Sequence, residues 1–376
     1  MRAALLSLGA LALALSSVSA SPANAVQQSG KSWMGTNLYY LQGLSDADQD
    51  TYIAAIASYG VKVVRVWANS QAGGGSCQKG SKIEKSVPAF ETVIGQYNWA
   101  TLDALDLVIN KLYQKGIKVV ISPHDGNSLI GDYRQDIYYK NWGAQGFYSN
   151  GDARNAYKGR INAMVNYKGK YSGKVWKSWT DAILAFDLQN EPMCADTSLC
   201  KNNDQAGWLC DIALSMRVAL GGQNPIKIAT GGVGGDESHG CTTIGAATSC
   251  GQIDVIAAHK YAGNEASNAN QWSNNANAWL SKSNGKLVFV EEWGVNAAAA
   301  YQPDEFKAQA ADINSVAIPS LYWQFLPPQN AACPYDPKTD SGDHFGIFVK
   351  GNTDIGSVVS QANNANARQD WSAIVP

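Results

Sequence analysis

The chain of 376 residues lacks an excess of charge of either sign: 29 Lys and Arg stand against 31 Asp and Glu, a formal net charge of −2. A near-neutral chain offers no basic field for nucleic acid, and no block of like charge marks an interaction tail. Histidine is scarce, with four in all, and none of the seven cysteines forms a CxxC pair, so a zinc knuckle has no ligands at the right spacing. No Asn-x-Ser/Thr sequon occurs, and N-glycans are not expected. A glycine-repeating phosphate turn is also missing. Gly35-Thr36-Asn37 lies inside the first strand-like run and does not repeat glycine at the fingerprint spacing, which argues against an open dinucleotide-binding sheet.

The apolar run Ala3 to Ala14 is too short to span a membrane, which takes roughly 20 residues. With Arg2 before it and Val18-Ser19-Ala20 after it, residues 1–20 read as a secretory signal, and the mature chain is expected to begin near Ser21. A cut after Ala25 is the alternative. Cys77, Cys194, Cys200, Cys210, Cys241, Cys250 and Cys333 suit an oxidising destination, and the odd count leaves one thiol over. Cys241 and Cys250, bracketing a short Thr/Gly/Ala loop, are the expected pair. No linker, repeat or low-complexity stretch divides the rest, so 21–376 reads as one domain acting as a secreted monomer.

Eight strand-like runs alternate with helix-like stretches. The runs are Trp33 to Tyr40, Val61 to Trp67, Ile117 to Ser122, Ile183 to Asn190, Pro225 to Thr230, Ile253 to His259, Leu287 to Glu292 and Leu321 to Phe325. Helical spacing predicts helices over Asp46 to Ser58, Leu102 to Lys115, Trp208 to Leu220, Gln271 to Ser283 and Asp304 to Ile313, with a polar helix from about 150 to 170. Ser70 to Gln96 reads as a surface insertion, and Gly126 to Asn150 as a Tyr-rich loop. Continuously apolar strands joined by helices argue for a closed parallel barrel, a single (β/α)8 TIM barrel with extended loops, ahead of an open sheet.

The polar residues then fall into place around Leu188-Gln189-Asn190-Glu191-Pro192, where a proline ends the fourth run. Asn37, Arg65, His124, Asn190, Glu191, His259, Tyr261, Glu292 and Trp323 all lie at or just past the C-terminal end of a run. That is the face on which such barrels bind ligands. Two carboxylates among histidines, an arginine and aromatics are the equipment for hydrolysing a glycosidic bond, one carboxyl giving a proton while the other attacks or activates water. Each residue alone has a plainer use: Arg65 as an ion-pair partner, the histidines as hydrogen-bonding residues, Trp323 as core. Asp187 is a candidate buried polar partner, and strand alternation puts Glu291 on the face opposite Glu292. It is their coincidence at one face that favours chemistry.

Asn190-Glu191-Pro192 and Glu292-Trp293-Gly294, with Arg65, His124, His259-Lys260-Tyr261 and Trp323 in order, resemble the signatures of the retaining family 5 glycoside hydrolases over roughly Trp33 to Phe325. The resemblance implies that Glu191 is the acid and base and Glu292 the nucleophile. It further implies that Asn190 bonds a sugar 2-hydroxyl, that Arg65 and Tyr261 keep Glu292 ionised, that His124 and His259 contact hydroxyls or Glu191, and that Trp323 lies beneath the reacting ring. No metal or cofactor is implied, and the partner is a polysaccharide.

The surroundings of Arg65, Glu292 and Trp323 look most like the endo-β-1,4-mannanase branch, while Pro123-His124-Asp125 is closer to the cellulase pattern. Tyr39, Tyr40, Trp67, Tyr133, Tyr138, Tyr139, Trp142 and Trp293 are candidates for stacking on a sugar chain or for packing the loops. Two readings of other classes remain: a metal-dependent hydrolase with His124, Asp125, Glu191 and His259 as ligands, and a non-catalytic carbohydrate-binding barrel.

Overall fold

A computed structural model describes residues 30–131, 135–261, 269–340 and 342–375. The expected signal segment and Tyr133 lie outside them. Eight strands close into a barrel: β1 Met34–Asn37, β2 Val63–Trp67, β3 Lys118–Ser122, β4 Ile183–Asp187, β5 Lys227–Ala229, β6 Val255–Lys260, β7 Leu287–Trp293 and β8 Ser320–Tyr322. Every neighbouring pair is parallel, and β8 closes on β1 through Ser320↔Met34 and Tyr322↔Thr36. The eight-run barrel read from the sequence is therefore the fold.

Alternation along the strands divides two cores. Val63, Val120, Ala185, Ala229, Val255, Ala257, Phe289 and Leu321 belong to one buried cluster inside the barrel. Trp33, Trp371, Ile374 and Val375 join it, so the C-terminal segment packs into the barrel's own core. Val64, Val66, Ile121, Phe186, Ile256, Val288 and Val290 belong instead to the layer shared with the helices. The helices start and stop for local reasons. Ser45 Oγ accepts from Asp48 N at 3.1 Å to open α1, Asp46–Ser58, whose first turn carries Asp46 and Asp48. Asn98 caps α2, Trp99–Tyr113, which buries Leu102, Leu105, Val108, Ile109 and Leu112 on one stripe. Gly221, left-handed at φ 97°, ends the helix Trp208–Leu220.

Two loop expectations need correcting. The 70–96 insertion contains two hairpins, Ser76–Gln78 with Ser81–Ile83 and Glu91–Val93 with Gln96–Tyr97. It buries Ile83, Val87 and Phe90, and Cys77 bonds Cys333, so it is a packed flap rather than a solvated loop. The Tyr-rich segment carries a helix over Ile137–Ser149, kinked at Gly143, because Asp136 caps the amides of Tyr138 and Tyr139 at 3.0 and 2.9 Å. The expected Cys241–Cys250 pair does not form. Cys241 bonds Cys200 and Cys250 bonds Cys210, each across about 40 residues, because the loop holding both cysteines is packed against the segment that opens and carries the 208–220 helix. Proximity in sequence was the only warrant for the other pairing. Cys194 is the free thiol.

Candidate active site

Arg65 is the hub. Its side chain is fully buried, pointing inward from β2 between outward-facing Val64 and Val66. Nε donates to Asp187 Oδ2 at 2.8 Å, Nη1 to Glu292 Oε1 at 2.6 Å and Nη2 to Asn190 Oδ1 at 2.8 Å, with Glu291 Oε2 3.3 Å away. The guanidinium carbon lies 4.3 Å from the centre of the Trp67 ring. Burial alone would discourage its charge, but Glu291, Asp187 and Glu292 outweigh that and raise its pKa further.

Glu191 sits one step past Asn190 in a left-handed conformation, φ 47°, which an L-residue adopts at a cost of roughly 1–2 kcal/mol. Its amide is held by Gly231 O at 2.6 Å, and the strain falls where the chain leaves β4 for the cleft. Oε2 accepts from Asn127 Nδ2 at 2.8 Å, and Oε1 faces His259 Nδ1 at 3.0 Å. Glu292 Oε2 accepts from Tyr261 Oη at 2.5 Å and is 3.5 Å from His259 Nδ1. His259 Nε2 meets Glu291 Oε2 at 3.0 Å. One oxygen each of Glu191 and Glu292 and a ring nitrogen of His259 lie within 4.8 Å of one another.

The bulge in β7 explains a departure from expectation. Leu287 and Phe289 face the barrel interior, and continued alternation turns Glu291 inward as well. The ladder to β6 then skips a residue, pairing Ala258 with Val290 and His259 with Glu292. The extra residue brings Glu292 to the same side as Glu291, so Arg65 reaches both. Glu291 is not on the opposite face and does not pack on helices.

Burial raises the Glu291 carboxyl, but Arg65 and His259 outweigh it and hold the group below its ordinary value. Burial pushes Glu191 up too, yet His259, Asn127 and Arg65 bring it below its usual range. For Glu292 burial wins over His259 and Arg65, and Glu191 adds to it, so its pKa is raised. Burial discourages the His259 cation, but Glu292, Glu191 and Glu291 together push its pKa up to about 10. Burial and Glu292 raise Tyr261, which therefore stays a donor.

The cleft above these groups encloses about 620 Å³. Tyr39, Trp67 and Trp323 form its aromatic wall, Tyr39 and Trp323 stacked 5.9 Å apart at 11°. Trp323 Nε1 donates to Asp343 at 2.9 Å. Gln78 and Lys79 from the insertion's first hairpin, with Asp125, Asn127 and Asp343, complete the wall. Apart from Asp125, these polar residues were not singled out in the sequence, because nothing in a loop's composition says which loop folds over a site. An adjoining hollow of about 570 Å³ shares Tyr39, Asn69, Gln78 and Asp125 with the cleft.

Seven of the expected site residues, Arg65, Asn190, Glu191, His259, Tyr261, Glu292 and Trp323, are thus in the cleft or directly bonded within it. His124 is not. Its Nε2 meets Asp136 Oδ2 at 2.5 Å, its Nδ1 faces Gln189 Nε2 at 2.7 Å, and its ring stacks on Phe147, so it lies under the adjoining hollow without touching Glu191. Tyr40, Tyr138 and Trp293 are buried packing residues, Trp293 stacked on Phe306 at 5.7 Å, and they offer no ring to a ligand. With His124 so engaged, the four-ligand metal set does not assemble. Glu191, His259 and Glu292 do converge, but the Arg65 guanidinium on Glu292 opposes a cation there.

Against known families, the model described as cellulase (glycosyl hydrolase family 5) matches residues 21–327. The chain belongs to glycosyl hydrolase family 5. Within that setting it is 29% identical over 197 residues to mannan endo-1,4-beta-mannosidase 1 of Oryza sativa subsp. japonica, covering 49% of this chain and 41% of that protein. It is 26% identical over 316 residues to a probable mannan endo-1,4-beta-mannosidase F of Aspergillus flavus, covering 78% of this chain and 63% of the relative. The match thus spans less than two thirds of either relative's length. The endo-1,4-beta-mannanase structure from Rhizomucor miehei shares the family 5 fold with a TM-score of 0.66 at 20% identity, covering 90% of this chain and 98% of that one.

Proposed function

We propose that this protein is a secreted, monomeric, retaining endo-β-glycosidase that cuts β-1,4-mannan or glucomannan, with Glu191 as acid and base and Glu292 as nucleophile. The observation that carries it is the pair of carboxylates, Glu292 buried and Glu191 half-buried at the cleft, with oxygens within 4.8 Å and unlike partners. Retaining enzymes hold the two carboxyls about 5–5.5 Å apart, whereas inverting ones leave roughly 6.5–9.5 Å for water. Glu292 is held by a cation and a hydroxyl donor, Arg65 and Tyr261, which suits an ionised nucleophile. Glu191 is held by the neutral amide of Asn127 and by His259, partners that tolerate a proton coming and going.

In this reading Glu292 attacks the anomeric carbon while Glu191 protonates the departing oxygen; Glu191 then deprotonates the water that releases the glycosyl-enzyme. The unliganded site favours the opposite proton order, with Glu191 lowered and Glu292 raised. Glu191, Glu292 and His259 titrate as a set, and His259 Nδ1, whose proton depresses Glu191, is 3.0 Å from Glu191 Oε1. Its transfer arms the acid without any proton entering from solvent. Once the proton is on Glu191, the Arg65 and Tyr261 contacts leave Glu292 the anion.

Mannan is favoured by the relatives' names and by the Arg65, Glu292 and Trp323 surroundings. The glucanase reading rested on Pro123-His124-Asp125, and both ring nitrogens of His124 are held by protein partners, which weakens it. Two adjoining hollows give a chain somewhere to lie on both sides of the cut, as internal cleavage requires. Purified protein assayed on mannan, carboxymethyl-cellulose and mixed-linkage glucan should release oligosaccharides first from mannan. Monosaccharide as the sole early product would mean exo action, cleavage of the cellulose derivative alone would make it a glucanase, and mere retention of all three would make it a binding protein.

A further inference from the structure

The loop that follows β3 lies directly against the chain that leaves β4. Asn190 N donates to His124 O at 2.8 Å and Gly126 N to Asn190 O at 2.7 Å, so Asp125 pairs with Asn190 as a parallel bridge. A Cβ on Gly126 would stand 2.3 Å from Glu191 O, and glycine lets the two segments come this close. One oxygen serves the contact. Asp125 Oδ1 accepts from Asn127 N at 3.1 Å, from Asn127 Nδ2 at 3.1 Å and from Asn190 Nδ2 at 2.8 Å. The first of these bonds caps the short turn Gly126–Leu129, and a cap needs nothing more. The other two hold side-chain amides of the cleft. Arg65 Nη2 donates to Asn190 Oδ1 at 2.8 Å, and an arginine can only donate, so the Asn190 atom turned to Asp125 is the nitrogen. The second amide, through Asn127 Nδ2, donates to Glu191 Oε2 at 2.8 Å.

We propose that Asp125 is a positioning residue for Glu191: by holding the Asn127 amide from behind, it keeps an N–H on Glu191 Oε2 and leaves Oε1, 3.0 Å from His259 Nδ1, to take and give the proton. The bonds form an arc from one carboxylate to the other, Glu292 to Arg65 to Asn190 to Asp125 to Asn127 to Glu191, with every step between 2.6 and 3.1 Å. Asp125 is the link at which the arc turns from the nucleophile's side to the acid's. The other charged or titratable groups facing Glu191 are His259 on β6, Tyr261 just after it, Glu292 on β7, Arg65 on β2 and Cys194, and the β5–β6 connection presents Gly235 to it. Against the burial that raises Glu191, the Asn127 N–H works with His259 to hold the carboxyl down. A hydrogen bond to the charged form favours that form, so slackening Asn127 lets Glu191 rise. That Glu191 is the acid rests on the glycosidase reading; the hold on its carboxyl does not.

Three variants test this. Asn127→Ala removes the N–H from Glu191 and leaves the backbone cap in place. Asp125→Ser keeps a hydroxyl that can cap the turn, but its oxygen falls short of the two side-chain amides. Asp125→Asn keeps an oxygen where Oδ1 stands. The Glu191 carboxyl, followed by carbon NMR of protein labelled at the glutamate carboxyls and assigned through Glu191→Gln, should titrate about one unit higher in Asn127→Ala and Asp125→Ser, the worth of one hydrogen bond to a charged group. Asp125→Asn should bring it most of the way back. In turnover, the alkaline limb of the pH profile should move up with it, and kcat should fall about tenfold in the first two variants. If Asp125→Ser loses stability yet leaves the Glu191 titration in place, Asp125 is a turn cap alone and the inference is overturned. It is likewise overturned if Asp125→Asn shifts Glu191 as far as Asp125→Ser does, since charge and not the held amide is then at work. The titration needs no substrate, so a wild type that cleaves no glycan would sink the glycosidase reading while the NMR still decides the role of Asp125.

Discussion

At the scale of single residues, the proposed division of labour between Glu191 and Glu292 makes opposite demands on a rescue experiment. Glu292→Ala leaves a hole beside Arg65 and Tyr261 that a small anion can fill, so azide should restore turnover and yield a sugar azide of inverted configuration. Glu191→Ala loses general acid and base help worth about 10²–10⁴-fold in rate, and the product from azide, if formed, keeps its configuration. Inverted azide product from the Glu191 variant would exchange the roles. Two ionised carboxylates with oxygens up to 4.8 Å apart repel by roughly 3 kcal/mol or more at an effective dielectric near 20, which separates their titrations by about two pH units. The rate should therefore be bell-shaped in pH with a plateau at least that broad, and a sigmoid rising to an alkaline plateau would contradict the assignment. His259 also ties catalysis to stability. Its raised value means that the stability it contributes is complete below about pH 6.5, the unfolded value, and is lost as pH climbs toward about 10. Melting temperature should fall across that window in the wild type and much less in His259→Ala.

Elements were legible in the sequence where one periodicity governed them. The helix Asp46–Ser58 falls where its spacing placed it, and each barrel strand overlaps its apolar run, because packing on both faces demands those runs. The site face was legible too, since polar residues cluster at strand ends. What failed did so where two-residue periodicity breaks. Glu291 looked outward only if the register was unbroken, and the bulge in β7 is invisible to alternation. His124 lies at the expected end of β3, but Asp136 and Gln189, remote in sequence, decide which way its ring is used. The β5–β6 connection offers a test at this scale. Gly232 has φ +78°, and a Cβ there would stand 2.5 Å from the His259 ring. Gly232→Ala should cost about 1–3 kcal/mol of stability and displace His259 from Glu191. Denaturation midpoints together with kcat will check this; a variant that keeps both would show that the loop can yield.

For the whole molecule, the decisive feature is that the cleft belongs to no single unit of the barrel. Arg65 comes from β2, Glu191 follows β4, His259 lies on β6 and Glu292 on β7. Its rim joins the first hairpin of the insertion, through Gln78 and Lys79, to the segment after β8, through Asp343. Lys79 and Asp343 form an ion pair across that junction, and the Cys77–Cys333 bond makes it covalent. Closing so long a loop restricts the unfolded chain by an amount worth about 5 kcal/mol in the chain-entropy account. Cys77→Ser with Cys333→Ser should lower the melting temperature and raise KM more than it lowers kcat, since the rim holds substrate while Arg65 and the strand ends hold the catalytic groups. An unchanged KM would mean that the ion pair alone fixes the rim.

That same bond has a mechanical meaning. Residues 77 to 333 form a covalent ring that contains six of the eight barrel strands, β3 to β8. A protease cut anywhere inside the ring leaves the oxidised molecule in one piece, and a pull on the two ends can lengthen only the stretches outside it. Under load, most of the barrel is slack that the force never reaches.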